Sequence, residues 1–283
     1  MKKIWFTLLK MFVFLLVLFA TMRIIFLINY WSLVTLDEIP FGVILKGFWS
    51  ALPLDIATAC FILAIPAICM FIALTINKDT IFSPLRWYFY LMIAAYNLIA
   101  LGDVGIYGEW RTKLSYRALM YLQNPAEVIN TAETEQTLLL IVLWSLFTIL
   151  FCWLYTKLVE PQPSDSNNES KKPNILYLLG SFIATVALLF LGMRGGVNDI
   201  PITSSKVYYC NYKLANEMCV NPAYYLMENT LNSRSFENKA HFSYMDSSDA
   251  EKRTKRLHEI SCDSTRSILK IERPNIVIIL LES

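Results

Sequence analysis

Four ionisable residues lie in or next to otherwise apolar stretches of the sequence. Arg23, Asp55 and Asp103 each interrupt a long apolar stretch, and Glu282 follows the run NIVIILL near the C-terminus. A charged side chain inside a membrane span is costly, so it usually pairs with another group or serves function. A carboxylate just after a buried strand is well placed to bind a divalent cation, which prefers oxygen ligands. The sequence therefore contains two candidate sites, an intramembrane polar cluster and a metal ligand.

The composition predicts that these residues belong to a membrane protein. Hydrophobic residues make up 55% of the 283 residues and charged residues 17%, whereas soluble proteins have about 25% charged residues. The mean hydropathy is +0.44. The net charge of only +2 gives no electrostatic basis for binding nucleic acid. We therefore expect membrane lipids, and no nucleic acid, as partners.

Five segments are apolar over the roughly 20 residues that a helix needs to cross a bilayer. They cover residues 4–30, 47–76, 86–108, 137–158 and 174–193. The first combines a basic start with an apolar run too long for a signal peptide, which favours an uncleaved anchor. The predicted fold class is mainly α, with a five-span transmembrane helical bundle.

The distribution of basic residues predicts a cytoplasmic N-terminus, because cytoplasmic flanks of spans are enriched in lysine and arginine. Eight basic residues flank the spans on the side of the membrane where the N-terminus lies, and four lie in the short loops on the other side. The first set is Lys2, Lys3, Lys10, Lys78, Arg86, Lys157, Lys171 and Lys172, and the second is Lys46, Arg111, Lys113 and Arg117. Five spans then place the chain after Arg194 on the extracytoplasmic side.

The intramembrane charges lie at similar depths in neighbouring spans. Arg23 is near the outer end of the first span, Asp55 near that of the second and Asp103 near that of the third. We expect Arg23 to pair with Asp55 or Asp103 in the outer third of the bundle. Such a pair is either a contact for a lipid headgroup or a structural link that holds three helices together.

The segment after the fifth span predicts an extracytoplasmic helical connector. Gly195 and Gly196 permit a sharp exit from the bilayer, because glycine accepts backbone angles that other residues avoid. The Tyr- and Leu-rich stretch that follows has apolar residues at helical spacing. It could lie in the membrane interface or pack on the protein. Among the extracytoplasmic cysteines, Cys210 and Cys219 are the first candidates for a disulfide, and Cys262 is left over.

The run Asn275 to Leu281 predicts a strand of a different kind of domain. Its seven residues are too few to span a membrane. They also lack the alternation of a half-exposed strand, which indicates a strand buried on both faces, as in parallel sheets covered by helices. Because a lone buried strand cannot pair its backbone groups, we expect the other strands to lie beyond Ser283.

The chain resembles the lipoteichoic acid synthase group, phosphoglycerol-transferase-like membrane proteins of the sulfatase and alkaline phosphatase superfamily. The resemblance covers the architecture of the whole chain. Its specific residues are Arg194 to Gly196, the sequence LPLD around Asp55, and RPNIVIILLES from Arg273 to Ser283. It implies a multi-pass protein of the bacterial cell (inner) membrane that supports phosphoryl-group transfer, with a phospholipid as headgroup donor, on the extracytoplasmic side.

The resemblance also implies three parts and one metal ligand. Residues 1–193 would form the transmembrane domain, 194–272 the connector, and 273–283 the first strand of a truncated sulfatase-like α/β domain. Glu282 would bind a divalent metal ion, Mn, Mg or Zn. The threonine nucleophile and the other Asp and His ligands would lie downstream. We therefore expect no catalytic residue in this chain, which by itself would be inactive.

Two alternatives remain at the level of the sequence. Phosphoethanolamine transferases share the five spans, but their first strand usually ends in Gly-Glu-Thr/Ser, whereas this one ends in Leu-Leu-Glu-Ser. A non-catalytic membrane scaffold is the other alternative, although it would expose NIVIILL as an aggregation-prone edge.

Overall fold

The computed structural model describes residues 2–76, 82–121, 134–160, 175–237, 245–259 and Val277, and in these ranges the chain is mainly helical. The helices are α1 Lys2–Asn29, α2 Trp31–Leu36, α3 Phe41–Ile76, α4 Phe82–Trp110, α5 Tyr116–Tyr121, α6 Thr134–Leu158, α7 Ile175–Arg194, a 3₁₀ helix Ser204–Val207, α8 Lys213–Cys219, α9 Pro222–Glu237 and α10 Ser247–His258. Residues 1–235 and 236–283 form two separate compact units, and α10 belongs to the second.

Five of these helices, α1, α3, α4, α6 and α7, are long and apolar enough to cross a membrane, which confirms the predicted number of spans. The apolar segments are Ile4–Asn29, Phe41–Leu74, Pro84–Trp110, Thr137–Leu158 and Ile175–Arg194. The predicted start of the second span at residue 47 is too late. The helix already begins at Phe41 and includes Lys46, whose ammonium lies over the Tyr209 ring, 5.9 Å from the ring centroid.

Helix α3 is the centre of the bundle and contacts α1, α4, α7 and α8. It runs without interruption for 36 residues through Pro53 and Pro66. Its contact with α7 is close, because a Cβ built on Gly192 would lie 2.3 Å from the Cys60 Sγ. Small residues allow transmembrane helices to approach in this way.

The bundle has two halves, which we define by the ends of α1. The proximal half, around the N-terminal part of α1, contains an apolar core in which Phe14, Phe89 and Tyr155 meet. The Phe89 and Tyr155 rings stack with centroids 4.7 Å apart. The distal half, around the C-terminal part of α1, contains a second core to which the connector helix α8 contributes.

The chain leaves α7 through a glycine-dependent turn, as predicted. Gly195 and Gly196 have φ angles of 78° and 116°. The N–H of Gly195 donates to the Gly192 carbonyl and that of Gly196 to the Leu191 carbonyl, at 3.1 and 3.0 Å. This pair of bonds is the Schellman arrangement that closes a helix C-terminus.

Helix α8, which lies within the Tyr- and Leu-rich stretch of the sequence, packs on protein. Leu214, Ala215, Met218 and Cys219 are buried in the core of the distal half. A Cβ on Gly47 of α3 would lie 2.2 Å from the Met218 Cε, so the two helices are in close contact. Of the two locations that the sequence allows, the buried one is observed.

The candidate disulfide between Cys210 and Cys219 is not formed, and both residues are free thiols. Each thiol has another partner. The Cys219 Sγ donates to the Gly47 carbonyl at 3.2 Å, and the Cys210 Sγ donates to the Asn216 Oδ1 at 3.4 Å. Cys262 lies outside the described residues.

The predicted strand falls almost entirely outside the residues that the structure describes. Within residues 275–281 only Val277 is described, and its side chain is exposed. Glu282 also lies outside the described residues. Both the strand and its metal ligand therefore stay predictions.

Candidate functional site

The distal half contains an ion pair between two membrane-spanning helices. Arg23 on α1 donates through Nη2 to both carboxylate oxygens of Asp55 on α3, at 3.0 and 2.9 Å. The two side chains are only 5% and 2% exposed. The Arg23 Nε donates to the Met218 carbonyl of α8 at 2.9 Å. Arg23 thus pairs with Asp55, one of the two predicted partners, and the third helix that it contacts is α8 of the connector rather than a third span.

Asn221 completes this arrangement from the other side. Its Nδ2 donates to the Asp55 Oδ1 at 2.9 Å, and the residue is fully buried. Its Oδ1 accepts from the N–H groups of Ala223 and Tyr224, at 3.2 and 3.3 Å. Asn221 is therefore the N-cap of α9, with Pro222 in the first helical position. We call Arg23, Asp55 and Asn221 the polar triad.

Asp103 belongs to a second buried ion pair, so the alternative in which it binds Arg23 is wrong. The Lys113 Nζ donates to the Asp103 Oδ2 at 2.6 Å, and the N–H of Leu114 donates to the Asp103 Oδ1 at 2.7 Å. The Lys113 side chain is only 4% exposed. The chain after α4 folds back onto the helix, and this brings Lys113 nearer to Asp103 than Arg23 is.

A small polar cavity separates the two ion pairs. Its volume is about 20 Å³, and Arg23, Asp103 and Lys113 line it together with Tyr96 and Met218. A volume of this size holds about one water molecule. The charges of the two ion pairs cancel. In this arrangement the cavity accommodates water but has no room for a phospholipid headgroup.

An apolar groove lies next to the cavity, between α3 and α4. It has a volume of about 180 Å³ and is lined by Phe61 of α3 and Met92 of α4, with Tyr224 and Met227 of α9 at one end. Tyr96 lines both the groove and the polar cavity. The Tyr96 side chain therefore borders both the apolar groove and the cavity beside the buried ion pairs.

Helix α8 of the connector carries two further ionisable groups, Glu217 and Cys219. Burial raises the pKa of the Glu217 carboxyl above its usual value, and the nearby Lys113 ammonium opposes this change. The Tyr208 hydroxyl donates to the Glu217 Oε1 at 3.3 Å. Burial also raises the pKa of the Cys219 thiol to about 12. At neutral pH this buried thiol is protonated, and it donates a hydrogen bond to the Gly47 carbonyl.

The predicted metal site has no counterpart in the parts of the chain that the structure describes. There, no group of three or more His, Cys, Asp or Glu residues could hold a metal ion. His258 ends α10, and His241, like Glu282, lies outside the described residues. The chemistry of the described site is therefore that of paired charges and hydrogen bonds.

Asn221 and Lys113 are the site residues that sequence reasoning missed. The pair Asn221-Pro222 is a typical start of a helix, so the sequence indicates the cap but not its contact with Asp55. Lys113 belongs to the basic residues of the short loops, and no pattern in the sequence indicates that it pairs with Asp103. No protein-family model matches this chain, and no curated protein or solved structure matches it.

Proposed function

We propose that this chain is the membrane-anchoring region of a lipoteichoic acid synthase-like enzyme of the sulfatase superfamily. The enzyme would transfer or hydrolyse a phosphoglycerol-type lipid headgroup outside a bacterial cell membrane, with the N-terminus in the cytoplasm. One observation carries the reaction class: the sequence RPNIVIILLES, in which Glu282 stands where the resemblance implies a metal ligand. The five apolar helices agree with an anchor of this type.

The polar triad supports the anchoring role. All three side chains are buried, and each one bonds to another member of the triad. Asn221 also begins α9, the helix in which the boundary between the two compact units falls. In this proposal the triad holds the start of the connector helix α9 against the membrane-spanning helices. Arg23 and Asp55 are then positioning residues rather than contacts of the lipid headgroup.

The groove beside Tyr96 supports a lipid as the substrate. Its lining is apolar and it opens on the surface of the bundle between α3 and α4. A lipid in this groove would contact α9 as well as α3 and α4. The resemblance implies that a threonine of that domain attacks the phosphorus of the headgroup, with a divalent metal ion held in part by Glu282.

The proposal is tested with the protein encoded by the gene when it is read past codon 283. We expect an open frame with a downstream threonine and later Asp and His residues. In proteoliposomes that contain phosphatidylglycerol, the protein should release diacylglycerol when Mn, Mg or Zn is supplied. Glu282→Ala should reduce this turnover by more than about a hundredfold, since loss of a metal-activated step costs several kcal/mol. Glu259→Ala, at an exposed position after α10, is the matched control.

Three outcomes would contradict the proposal. A stop codon directly after codon 283 with a stable, monodisperse protein would favour the scaffold. Turnover of phosphatidylethanolamine in place of phosphatidylglycerol would favour the phosphoethanolamine transferase. Turnover that Glu282→Ala leaves unchanged would exclude the proposed metal ligand.

The positioning role has its own test, the exchange of the two charges in the variant Arg23→Asp with Asp55→Arg. If the pair only positions the connector, assembly and turnover should recover together relative to the single variants. Recovery of assembly without turnover would show that Arg23 contacts the lipid itself.

A further inference from the structure

Lys10 is a charged residue in the proximal half for which the described structure provides no counter-charge. It lies six residues after Ile4, where the first apolar segment begins, and is therefore about 9 Å along the span. The Lys10 Nζ lies 4.9 Å from the centroid of the Phe6 ring. Each ion pair among the described residues joins other partners. The Lys10 side chain is exposed on the surface of the bundle.

Beside Lys10, an apolar groove runs between α1 and α6. Its volume is about 380 Å³, and its walls are Leu9, Val13 and Val17 of α1 and Leu154 and Leu158 of α6. Because the α1 residues are spaced by four, they form one strip about 12 Å long. Lys10 is the one ionisable residue in the lining.

Aromatic side chains in the proximal core keep the groove open at its base. The Phe14 ring of α1 packs edge-on against the Phe151 and Tyr155 rings of α6, with centroids 6.1 and 5.8 Å apart. The two helices therefore meet through large side chains rather than backbone to backbone. The groove lies above these rings and extends along α1 from Leu9 and Lys10 to Val17.

We propose that this groove binds one anionic glycerophospholipid, with an acyl chain between α1 and α6 and the phosphate at the Lys10 ammonium. A lysine this close to the end of a span extends toward the headgroup region, where a lipid phosphate can neutralise it. The apolar walls match an acyl chain. The site lies in the proximal half, away from the polar triad, and does not depend on the function proposed above.

A partner helix fits this groove less well than a lipid does. Transmembrane helices associate closely through small residues, whereas the walls here are leucine and valine. A packed helix would also bury the Lys10 charge unless it brought an acidic residue. A flexible acyl chain fills an irregular groove, and its own headgroup supplies the anion.

The test uses the purified full chain in mixed micelles that contain equal amounts of phosphatidylglycerol and phosphatidylcholine with identical acyl chains. Native mass spectrometry counts the lipids retained. We expect the wild type to retain one phosphatidylglycerol in preference to phosphatidylcholine. Lys10→Gln should lower this preference about fivefold, because one lysine near an anionic membrane surface contributes about 1 kcal/mol to binding. Lys157→Gln, an exposed lysine of α6 outside the groove, should leave it unchanged.

The groove itself is tested by filling it. Val13→Trp and, independently, Leu9→Trp should abolish retention of both lipids, while Val142→Trp, which lies on α6 outside this groove, should not. All three side chains are at least half exposed, so the added bulk does not disturb a core. Equal retention of the two lipids by the wild type would overturn the proposal. So would equal effects of the two lysine variants, or full lipid retention in both groove-filling variants.

Discussion

In the proximal half of the bundle the helices meet through aromatic and aliphatic side chains, whereas in the distal half they meet around two buried ion pairs. Both halves contain buried apolar side chains of similar kinds. They differ in what decides which helices contact one another. In a membrane, apolar side chains gain little by exchanging lipid for protein, so packing and polar contacts determine helix association.

The distal half therefore depends on a few residues and the proximal half on many. Replacing one aliphatic side chain in the proximal core changes one set of packing contacts. Removing one charge in the distal half leaves its partner buried without compensation, which costs more than the pair contributes. The following four predictions test this difference, and they run from the largest expected effect to the smallest.

Asp55→Asn should have the largest effect. The new side chain has nearly the same shape, but Arg23 loses its counter-charge in a site where both side chains are almost fully buried. We expect a loss of about 3 kcal/mol in the free energy of unfolding. The measurement is denaturant-dependent unfolding of the purified protein in detergent.

Thr58→Ala is the control for this change. Thr58 lies less than one turn further along α3, and its hydroxyl donates within the helix to the Leu54 carbonyl. Its removal should cost less than about 1 kcal/mol. Equal losses in the two variants would contradict a special role for the ion pair.

Gly192→Ala should have an intermediate effect. The added Cβ would lie 2.3 Å from the Cys60 Sγ, so α3 and α7 must separate. Overpacking of this kind costs about 1–3 kcal/mol. Gly180→Ala on the same helix, where no atom lies within 4 Å, should be neutral or slightly stabilising. Unfolding curves of the two variants give the comparison, and a stable Gly192→Ala protein would show that the helices do not need close contact.

Tyr155→Phe should stabilise the proximal half. The Tyr155 hydroxyl is buried and has no hydrogen-bond partner among the described residues. Removing it should gain about 1 kcal/mol, because a buried unsatisfied hydroxyl is costly. Tyr90→Phe should have the opposite sign, since the Tyr90 hydroxyl shares a hydrogen bond of 2.6 Å with the Thr156 hydroxyl. A loss of stability in both variants would reveal a partner for Tyr155.

Glu217→Gln should have the smallest effect and should change mainly the pH dependence. Because burial raises the pKa of the Glu217 carboxyl above its usual 4.5, the folded state holds the proton more tightly than the unfolded state. Its contribution to stability is therefore present at low pH and is lost as the pH rises through the raised pKa. Melting temperatures between about pH 4 and pH 8 should show this slope in the wild type and a flatter profile in Glu217→Gln. Parallel profiles would assign the slope to another group.

Features that depend on a short stretch of sequence were predictable. The five spans follow from the length of the apolar runs, and the exit after Arg194 follows from two consecutive glycines. The pairing of Arg23 with an acidic residue followed from the cost of a lone charge in a membrane. The choice between Asp55 and Asp103 did not, because it depends on where Lys113 folds back.

Contacts between distant parts of the chain were not predictable. Asn221 and Asp55 are 166 positions apart, and no pattern in either segment indicates the other. The burial of α8 was not predictable for a similar reason, because its apolar face is compatible with a membrane surface as well as with a groove between helices. Glu282 remains a prediction that depends on resemblance.

Asn221 bonds at once to Asp55 and to the first turn of α9, and this has a consequence for how the protein is made. The ribosome completes α1 and α3 long before Asn221, so Arg23 and Asp55 enter the membrane first and can do so as a neutral pair. All five candidate spans likewise precede Asn221 in the chain. The contact that stabilises the start of α9 can therefore form only after the helices that hold Arg23 and Asp55 have been synthesised.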